Sequence, residues 1–554
     1  MKLLKRMIGC AAAFAVAATV GFSAVGCKKN EEKYDFTIWC YQTDSSVRNY
    51  GETSYAFKEL EKRTGKKVKF VLGDDYTTML STKSYPEVVL MLGYPNGYAA
   101  GINNGHVYDI TDLVKNYAPN YKKLITSDED IWKGTTIDGN RIGGFYVVND
   151  PIEKPWRGLV MRKDVIEKYK NSFTTYSDWE DLGEKDSKGQ TLLTPTLYSH
   201  WTDIFTVVKK AYNDGDKDTA VKYPLCFPAT GRDSLDTLNA GFGFALGDTA
   251  YYDYVDESGN RSLKIGYVEE GLKDYLEQMN AWYKAGFIDP NFAQSANGLT
   301  TENKNSVGTS RTKPLSMVWA EMSTYIDSKI ELGKANGISG YDLMAIPQPR
   351  ISKTDVNHLV CNNGKLGMSA FITTKCDEAK AKEIVEWFDY LYTDEGAALM
   401  NYGVEGQTYT LNPDGSKNFS DEIKNNPDKG FYEYISFGFP TKNDTTKSDI
   451  FKGEKALAAE NIWTYKNDGA YNLKATAAYT GSDGATHTQI MNAVNTYVSE
   501  NLIKFVKGTR SLKEFDSYVA TLKSSQYDIG KAVEISEKSY RAFLSRTIPD
   551  DWKN

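Results

Sequence analysis

The sequence predicts an α/β protein with two or three lobes, and two observations lead to this expectation. Short apolar strands alternate with amphipathic helices along most of the chain, a pattern typical of mainly parallel sheets flanked by helices. The chain has 554 residues, whereas a single domain usually holds roughly 100 to 200, so one small core cannot accommodate it. Hydrophobic residues make up 41% of the composition and charged residues 25%, which excludes a disordered polymer and a multispan membrane protein.

The N-terminus has the pattern of a cleaved signal. Lys2, Lys5 and Arg6 precede an uncharged, Ala-rich stretch that extends to Gly26. Its small residues favour a signal peptide over a permanent membrane helix. The segment 24–27 (AVGC) resembles the lipobox of bacterial lipoproteins, in which the cysteine is lipidated.

We therefore expect a lipoprotein signal peptide over residues 1–26, a palmitate-bearing lipid anchor on Cys27, and a polar tether over 27–32. The alternative is an ordinary secretory signal followed by an unrelated cysteine. Removal of the signal takes away three of the 66 basic residues and none of the 73 acidic ones. The mature chain is then acidic, so a nucleic acid is not an expected partner.

The N-terminal lobe is predicted from three short strands with a helix between the first two. The strands are expected over 34–41, 68–72 and 87–92, because each is a run of β-branched, aromatic and other apolar residues. The helix has its apolar residues on one face and ends at Gly65. Ligands bind beyond the carboxyl ends of strands in such sheets. The residues that follow the first and third strands are therefore candidates for a binding site.

The same alternation continues along the chain. Asp138-Gly139 is typical of a hairpin turn. Further elements are expected as a strand and helix over 158–169, a helix over 269–285, strands over 314–319 and 341–347, and helices over 375–391, 490–506 and 512–522.

The sequence carries none of the usual catalytic motifs. Its four histidines are scattered, and it contains neither a G-x-S-x-G nucleophile elbow nor a Walker loop. We therefore do not expect an enzyme. A glycosidase needs only two neighbouring carboxylates, however, and a chain with 73 acidic residues does not exclude such a pair.

One short run has part of the pattern of a calcium-binding loop. Asp214, Asp216 and Asp218 alternate, as they must for their oxygens to converge on one ion. Thr219 occupies the position where such loops need Gly, and Leu225 the position where they need a bidentate Glu. No cofactor is expected. Calcium at the three aspartates is the alternative to a solvated turn.

Five stretches resemble the extracellular solute-binding proteins of ABC importers, in particular family 1 and its LplA-like oligosaccharide-binding lipoproteins. They are 109–124 (DITDLVKNYAPNYKKL), 158–179, 267–292 (YVEEGLKDYLEQMNAWYKAGFIDPNF), 379–409, which ends YLYTDEGAALMNYGVEGQTY, and 505–522 (FVKGTRSLKEFDSYVATL). Together they extend over most of the mature chain. Their order and spacing make the resemblance specific.

The resemblance implies a type II periplasmic-binding-protein-like fold with a ligand cleft at the hinge between the lobes. Lobe 1 would comprise residues 33–136 and 341–400, and lobe 2 residues 137–340 and 401–554. The implied function is a monomeric receptor, anchored by lipid to the extracytoplasmic face of the bacterial membrane. It would capture an oligosaccharide by lobe closure and deliver it to the permease subunits of the transporter.

An oligosaccharide site needs flat aromatic platforms for the sugar faces and polar side chains for the hydroxyl groups. The chain offers 38 Tyr, 10 Trp and 23 Phe residues, and those that follow strands or lie in loops are the candidate platforms. The expected ligand-binding residues are Trp39, Tyr41, Asp44, Tyr94, Asn96, Trp156, Arg157, Arg232, Asp236, Trp319, Glu321 and Glu405. Core packing is the alternative for each aromatic residue, above all for Trp39 or Tyr41, which strand alternation places on the same face.

Two other functions are consistent with the sequence. One is a lipid-anchored enzyme that acts on glycans, which would release products from them. The other is a surface protein that only adheres to glycans, which would not close around a short ligand.

Overall fold

The computed structural model describes residues 33–41, 54–73, 75–91, 93–95, 97–152, 154–217, 221–225, 238–246, 251–256, 258–293, 316–335, 337–358, 364–425, 435, 438–471, 479 and 482–553. The expected signal peptide, Cys27 and the tether lie outside these ranges. None of the helices in the described ranges has the length and hydropathy required to cross a membrane.

Two sheets of unequal size form the centres of two lobes. The strands are β1 (Phe36–Tyr41), β2 (Val68–Gly73), β3 (Val88–Met91), β4 (Thr136–Ile137), β5 (Arg141–Ile142), β6 (Phe145–Asn149), β7 (Arg157–Arg162), β8 (Tyr251–Val255), β9 (Arg261–Ile265), β10 (Val318–Met322), β11 (Leu343–Ile346), β12 (Leu366–Ile372), β13 (Tyr409–Leu411), β14 (Lys417–Phe419) and β15 (Lys442–Asn443). The first sheet has the strand order β15-β6-β12-β3-β1-β2, and the second sheet has the order β10-β7-β11. The pairs β4-β5, β8-β9 and β13-β14 form separate ribbons.

Helices cover both sheets. They are α1 (Tyr55–Thr64), α2 (Tyr76–Ser81), α3 (Tyr98–Asn103), α4 (Thr111–Tyr117), α5 (Pro119–Ile125), α6 (Glu129–Thr135), α7 (Lys163–Tyr169), α8 (Tyr198–Asn213), α9 (Glu270–Lys284), α10 (Ile326–Ala335), α11 (Glu378–Tyr390), α12 (Asp394–Tyr402), α13 (Asp421–Lys424), α14 (Glu454–Ile462), α15 (Asp483–Lys507), α16 (Phe515–Lys523) and α17 (Ile529–Leu544).

The first lobe is built on an apolar sheet, as its sequence predicts. All four residues of β3 are buried, which fits a strand covered on both faces. Helix α1 buries Ala56, Phe57 and Leu60, and the ring of Phe57 lies 4.7 Å from that of Phe70 on β2. Gly65 ends the helix with φ of 66°, a left-handed conformation that glycine adopts without strain.

The second lobe has a large core between helices α8, α9, α15 and α17. The indole rings of Trp201 on α8 and Trp282 on α9 lie 6.4 Å apart at an interplanar angle of 10°. Trp282 is almost completely buried, as its place on the apolar face of a helix predicts. Asp138-Gly139 forms the expected turn, between β4 and β5.

Three segments cross between the sheets. The first crossover, residues 150–156, connects β6 to β7, and the second, residues 347–365, connects β11 to β12. The third, residues 444–453, leads from β15 to α14, which packs against β7 and β11 of the second lobe.

The sheets divide the chain differently from the expected lobe ranges. Strand β6 belongs to the first sheet although it falls within 137–340, and β11 belongs to the second sheet although it falls within 341–400. Strand β15 lies beyond 400 and still joins the first sheet. Each of these strands is short, and its sheet is decided by pairing with residues far away in sequence, which local patterns do not encode.

Candidate ligand-binding site

One edge of the first sheet carries a tyrosine after each of three parallel strands. Strands β1, β2 and β3 run parallel, so their carboxyl ends lie together. Tyr41 ends β1, Tyr76 follows β2 by three residues, and Tyr94 follows β3 by three residues. We call this the tyrosine edge. It is the place where sheets of this kind bind ligands.

All three crossovers meet the first sheet at the tyrosine edge. Strand β12 is antiparallel to both β3 and β6, so β6 runs with β3 and ends at this edge, where the first crossover begins. The second crossover enters at the start of β12, and β15, which is parallel to β6, leads into the third. The tyrosine edge therefore faces the second lobe.

Trp39 lies behind the tyrosines. Its side chain is 8% exposed, and a Cβ atom on Gly73 would lie 2.6 Å from the indole Nε1, so only glycine leaves room for the ring. The ring of Tyr41 lies 6.1 Å from that of Trp39 and 5.5 Å from that of Tyr76. Tyr41 and Tyr76 are half-buried, which leaves part of each ring available for contact.

Tyr94 is held from behind by a histidine that the sequence analysis did not select. Its hydroxyl lies 2.7 Å from Nδ1 of His106. Burial raises the pKa of Tyr94 and lowers the pKa of His106, so both groups are neutral at pH 7. The ring of Tyr94 also lies 5.9 Å from Phe371, whose ring contacts Tyr98 at 5.8 Å. These contacts bury Tyr94, which is 8% exposed, so in this conformation it supports the tyrosine edge from behind and does not offer the open face that was expected of it.

The facing edge of the second sheet carries Trp156 and Arg157. Strand β7 begins at Arg157, which lies opposite Met322 at the end of β10. The backbone carbonyl of Trp156 accepts a hydrogen bond of 2.9 Å from the backbone N–H of Ser323. The Trp156 side chain is 42% exposed, and Arg157 is also exposed. An open indole and a guanidinium therefore lie where the first crossover enters the second lobe.

Glu321 lies next to these residues but is buried, with 6% of its surface exposed. Its Oε2 accepts a hydrogen bond of 3.2 Å from Nε1 of Trp319, and its Oε1 accepts one of 3.0 Å from the N–H of Met322. Burial raises the pKa of the Glu321 carboxyl, because removal from water disfavours the charged form.

Trp319 is placed differently from the expected platform. It is 1% exposed and packs in a cluster with Val160, Tyr341 and Trp463. A ring enclosed in this way offers no face to a ligand in this conformation. The hydrogen bond that its indole Nε1 donates to Glu321 instead holds that carboxyl group in place.

Polar contacts tie the three crossovers together at the first lobe. Asn149 Nδ2 donates to the carbonyl of Gly364 at 3.0 Å, and Asn443 Nδ2 donates to Asn149 Oδ1 at 2.8 Å. Lys447 Nζ lies 2.7 Å from Asn443 Oδ1 and 2.8 Å from Asn401 Oδ1. The three crossovers are thus fixed where they leave the first sheet.

A buried ion pair fixes the third crossover at the second lobe. Lys452 Nζ lies 2.8 Å from Glu460 Oε1 on α14, and Ser323 Oγ donates to the same oxygen at 2.8 Å. The indole ring of Trp463 packs on β7, and a Cβ atom on Gly158 would lie 2.2 Å from Cδ2 of this ring. Gly158 is therefore required for the close approach of the indole.

Exposed apolar side chains concentrate at the crossovers. Among the described residues, 11 large hydrophobic side chains are exposed, and five of them lie in the crossover segments: Ile152, Trp156, Ile351, Val356 and Ile450.

The remaining candidate residues are placed only in part. Glu405 is exposed in the turn after α12, and Tyr402 of that helix donates its hydroxyl hydrogen to Asp444, which brings the turn close to the third crossover. Asp44, Asn96, Arg232 and Asp236 lie outside the described residues.

Tyr76, Tyr98 and His106 also belong to this region and were not among the residues predicted from the sequence. Tyr76 could have been found, because it follows a predicted strand in the same way as Tyr41 and Tyr94. The other two reach the region through tertiary packing, for which the sequence gives no local signal.

Two of the three aspartates that could form a calcium loop pair with lysines. Asp214 pairs with Lys210, and Asp216 pairs with Lys168 and accepts a hydrogen bond from Tyr169. Asp218 lies outside the described residues. Within the described part of the chain, no group of three or more His, Cys, Asp or Glu side chains is arranged to hold a metal. Together with the missing Gly and Glu of the loop pattern, these ion pairs do not fit a calcium ion.

No protein-family model matches the chain. The polygalacturonan/rhamnogalacturonan-binding protein YtcQ of Bacillus subtilis (strain 168) is 24% identical over 371 residues, which are 65% of this chain and 64% of YtcQ, less than two thirds of its length. Lipoprotein LipO of the same organism is 23% identical over 450 residues, 75% of this chain and 76% of LipO.

Solved structures share the fold over nearly the whole chain. The alginate-binding protein AlgQ2 without calcium ion gives a TM-score of 0.63 at 18% identity and covers 91% of this chain and 97% of its own. An HMO-binding, ABC-transporter-associated solute-binding protein from Bifidobacterium longum infantis gives 0.66 at 13% identity, with 92% and 99% covered. The S. pneumoniae substrate-binding protein FusA, an EF-hand mutant in complex with fructo-nystose, gives 0.65 at 14% identity, with 92% and 100% covered. The expected two-lobed solute-binding-protein fold is confirmed, and these similar proteins are described as binding proteins.

Proposed function

We propose that this protein is the extracellular binding component of an ABC importer and captures an oligosaccharide between the tyrosine edge and the Trp156–Arg157 edge. The observation that carries the proposal is that the first two crossovers connect these two edges directly, and the third leads from the first sheet to α14, whose Glu460 is hydrogen-bonded to Ser323 beside Trp156. A rotation about the crossovers brings the edges together, as hinge closure does in binding proteins of this architecture.

The chemistry of both edges suits a sugar. Tyr41 and Tyr76, which are half-buried, offer aromatic faces and hydroxyl groups on one side, and Trp156 offers an open indole on the other. Arg157 adds several hydrogen-bond donors beside that indole. Apolar C–H faces of a pyranose would pack on the rings while its hydroxyls or carboxylates meet the polar groups. Asp44, Asn96, Arg232, Asp236 and Glu405 remain proposed contributors.

Membrane anchoring and delivery complete the proposal. The lipobox-like segment ending at Cys27 and the name of lipoprotein LipO support attachment by lipid at the extracytoplasmic face. Transfer of the sugar to permease subunits is supported by the association of proteins with similar solved structures with ABC transporters.

Calorimetry of the mature protein tests the proposal. Oligogalacturonides, alginate oligosaccharides and kestose represent the ligand classes of the similar proteins, and short peptides serve as the control panel. Binding to at least one glycan, with intact sugar recovered after long incubation, is the expected result. Binding to peptides alone would refute the carbohydrate assignment, and released products would indicate an enzyme.

Small-angle scattering separates a transport receptor from an adhesion protein. A ligand of a few sugar units should make the protein more compact, because only the closed arrangement lets both edges contact it. Tight binding with an unchanged scattering profile would favour adhesion.

A further inference from the structure

The C-terminal tail forms a connection between the lobes that is separate from the three crossovers. Helix α17 belongs to the second lobe, where Tyr540 and Phe543 are part of the large core. The backbone N–H of Leu263 on β9 also donates to Glu537 of this helix at 2.6 Å. The residues after α17, from 545 to 553, leave this core and end against the first lobe. We call them the strap.

Arg546 is the first contact of the strap with the first lobe. Its side chain is 12% exposed, and its Nη1 donates to the carbonyl of Lys133 at 2.8 Å and to the carbonyl of Thr136. Both carbonyls lie at the carboxyl end of α6, where the helix dipole favours a positive charge. Asp138 lies 3.8 Å from the guanidinium. A cation from the second lobe thus caps a helix of the first.

Trp552 is the second contact. It is 4% exposed, and its ring lies 5.2 Å from that of Trp132 on α6 in an edge-on arrangement. The ammonium groups of Lys115 and Lys122 each lie 5.9 Å from the Trp552 ring, close enough for a cation–π attraction. The end of the strap is therefore buried in the first lobe by aromatic packing as well as by charge.

The strap docks next to the hinge. A Cβ atom on Gly134 of α6 would lie 2.4 Å from Cδ1 of Leu366, the first residue of β12. Lys365, at the end of the second crossover, pairs with Asp128 at the start of α6 at 2.7 Å. Because the strap is attached close to the crossovers, a hinge rotation displaces its contacts little. A twist or a lateral slide of the lobes would pull Arg546 and Trp552 out of their sites.

We propose that the strap is a fourth inter-lobe connection, which restricts the lobes to rotation about the crossovers. Its effect on ligand affinity rests on the proposed function, whereas its effect on lobe movement does not. Without the strap, the ligand-free protein samples more arrangements, and a smaller fraction of molecules is ready to close. The apparent Kd for an oligosaccharide is the intrinsic Kd divided by that fraction, so a fall of the fraction to between about a half and a tenth of its parental value raises the apparent Kd about two- to tenfold.

Distance measurements between spin labels test the proposal without any ligand. Labels are attached to Lys62→Cys on α1 and Lys210→Cys on α8, two side chains that are 73% and 76% exposed. The background is the full mature chain with Cys27, Cys226 and Cys361 changed to Ser, because Cys40 and Cys376 are buried. The variants are Arg546→Met and Trp552→Ala. Arg541→Met is the matched control, since Arg541 lies on α17, is 66% exposed and pairs with Glu537 of its own helix.

We expect a wider distance distribution for Arg546→Met and Trp552→Ala than for the parent, and the parental distribution for Arg541→Met. Distributions that are identical in all four proteins would overturn the proposal. If Trp552→Ala fails to fold, Arg546→Met still decides, because it keeps the packing of Trp552 on Trp132. A failure of the parent to bind any glycan would count against the proposed function and would leave the distance result valid.

Discussion

Replacement of Trp156 by Ala should weaken ligand binding and leave the fold intact. Its indole is the exposed aromatic side chain at the point where the first crossover enters the second sheet. Its backbone contact with Ser323 does not depend on the side chain. The change therefore removes a binding surface without removing a structural contact of the backbone.

The size of the effect follows from the exposed area. A tryptophan side chain presents up to about 250 Å², and Trp156 is 42% exposed, which leaves roughly 100 Å² for a ligand to cover. At about 25 cal/mol per Å², covering half of it contributes ~1.3 kcal/mol and covering all of it ~2.5 kcal/mol. These values correspond to an increase in Kd of about ten- to seventyfold.

Calorimetry with the best glycan of the panel measures the change, and thermal melting checks the fold. Tyr117→Ala is the matched control, because Tyr117 is 40% exposed on α4 of the first lobe, away from the crossovers. We expect the Tyr117→Ala variant to bind the glycan with the affinity of the wild-type protein. A Trp156→Ala variant that binds as tightly as the wild type would refute the role of this indole as a platform.

Three further predictions concern the surroundings of the site. Burial raises the pKa of Glu321, so the folded state binds its proton more tightly than the unfolded state, and ionisation of Glu321 lowers the free energy of unfolding as pH rises above the ordinary pKa of 4.5. In urea unfolding, Glu321→Gln should therefore be as stable as the wild-type protein at pH 4 and more stable at pH 7. An equal difference in stability at both pH values would contradict this prediction. Gly158→Ala should lower the free energy of unfolding by about 1–3 kcal/mol, because the indole of Trp463 must move to make room for the new methyl group. The control Gly530→Ala, where a Cβ atom meets nothing within 4 Å, should be neutral or stabilising. An unchanged stability of Gly158→Ala would show that the indole relocates freely. Calcium should leave the melting temperature unchanged relative to a chelator, since Asp214 and Asp216 pair with lysines, and a rise of several degrees would show that the loop binds the ion despite these pairs.

The elements of the first lobe could be predicted because their signals are local. The apolar face of α1 and the left-handed Gly65 at its end depend on residues within one helix. The alternation of β1 likewise places Trp39 and Tyr41 on one face, and their rings lie 6.1 Å apart. The lobe ranges could not be predicted in the same way. Strand β15 has two residues, and only its pairing with β6 assigns it to the first sheet.

The candidate site shows the same limit at the level of single side chains. Trp156 and Trp319 both lie at strand ends in the sequence, yet one is 42% exposed and the other 1% exposed. The difference arises from Trp463 and Tyr341, which enclose Trp319 and come from segments distant in sequence. Strand position therefore identifies the edge of a sheet at which to search, and tertiary packing decides which aromatic residue faces outward.

The arrangement of the two edges restricts which ligands can drive closure. A sugar that packs only on Tyr41 and Tyr76 binds the open and closed arrangements equally, so it shifts no population however tightly it binds. Under the proposed closure, a ligand that also reaches Trp156 and Arg157 gains contacts only after rotation about the crossovers. To convert a 1:99 mixture into 99:1, those additional contacts must supply about 5.5 kcal/mol. The indole accounts for at most ~2.5 kcal/mol by area, so closure requires polar contacts to the second lobe as well, and Arg157 is the exposed charged side chain placed beside the indole to provide them.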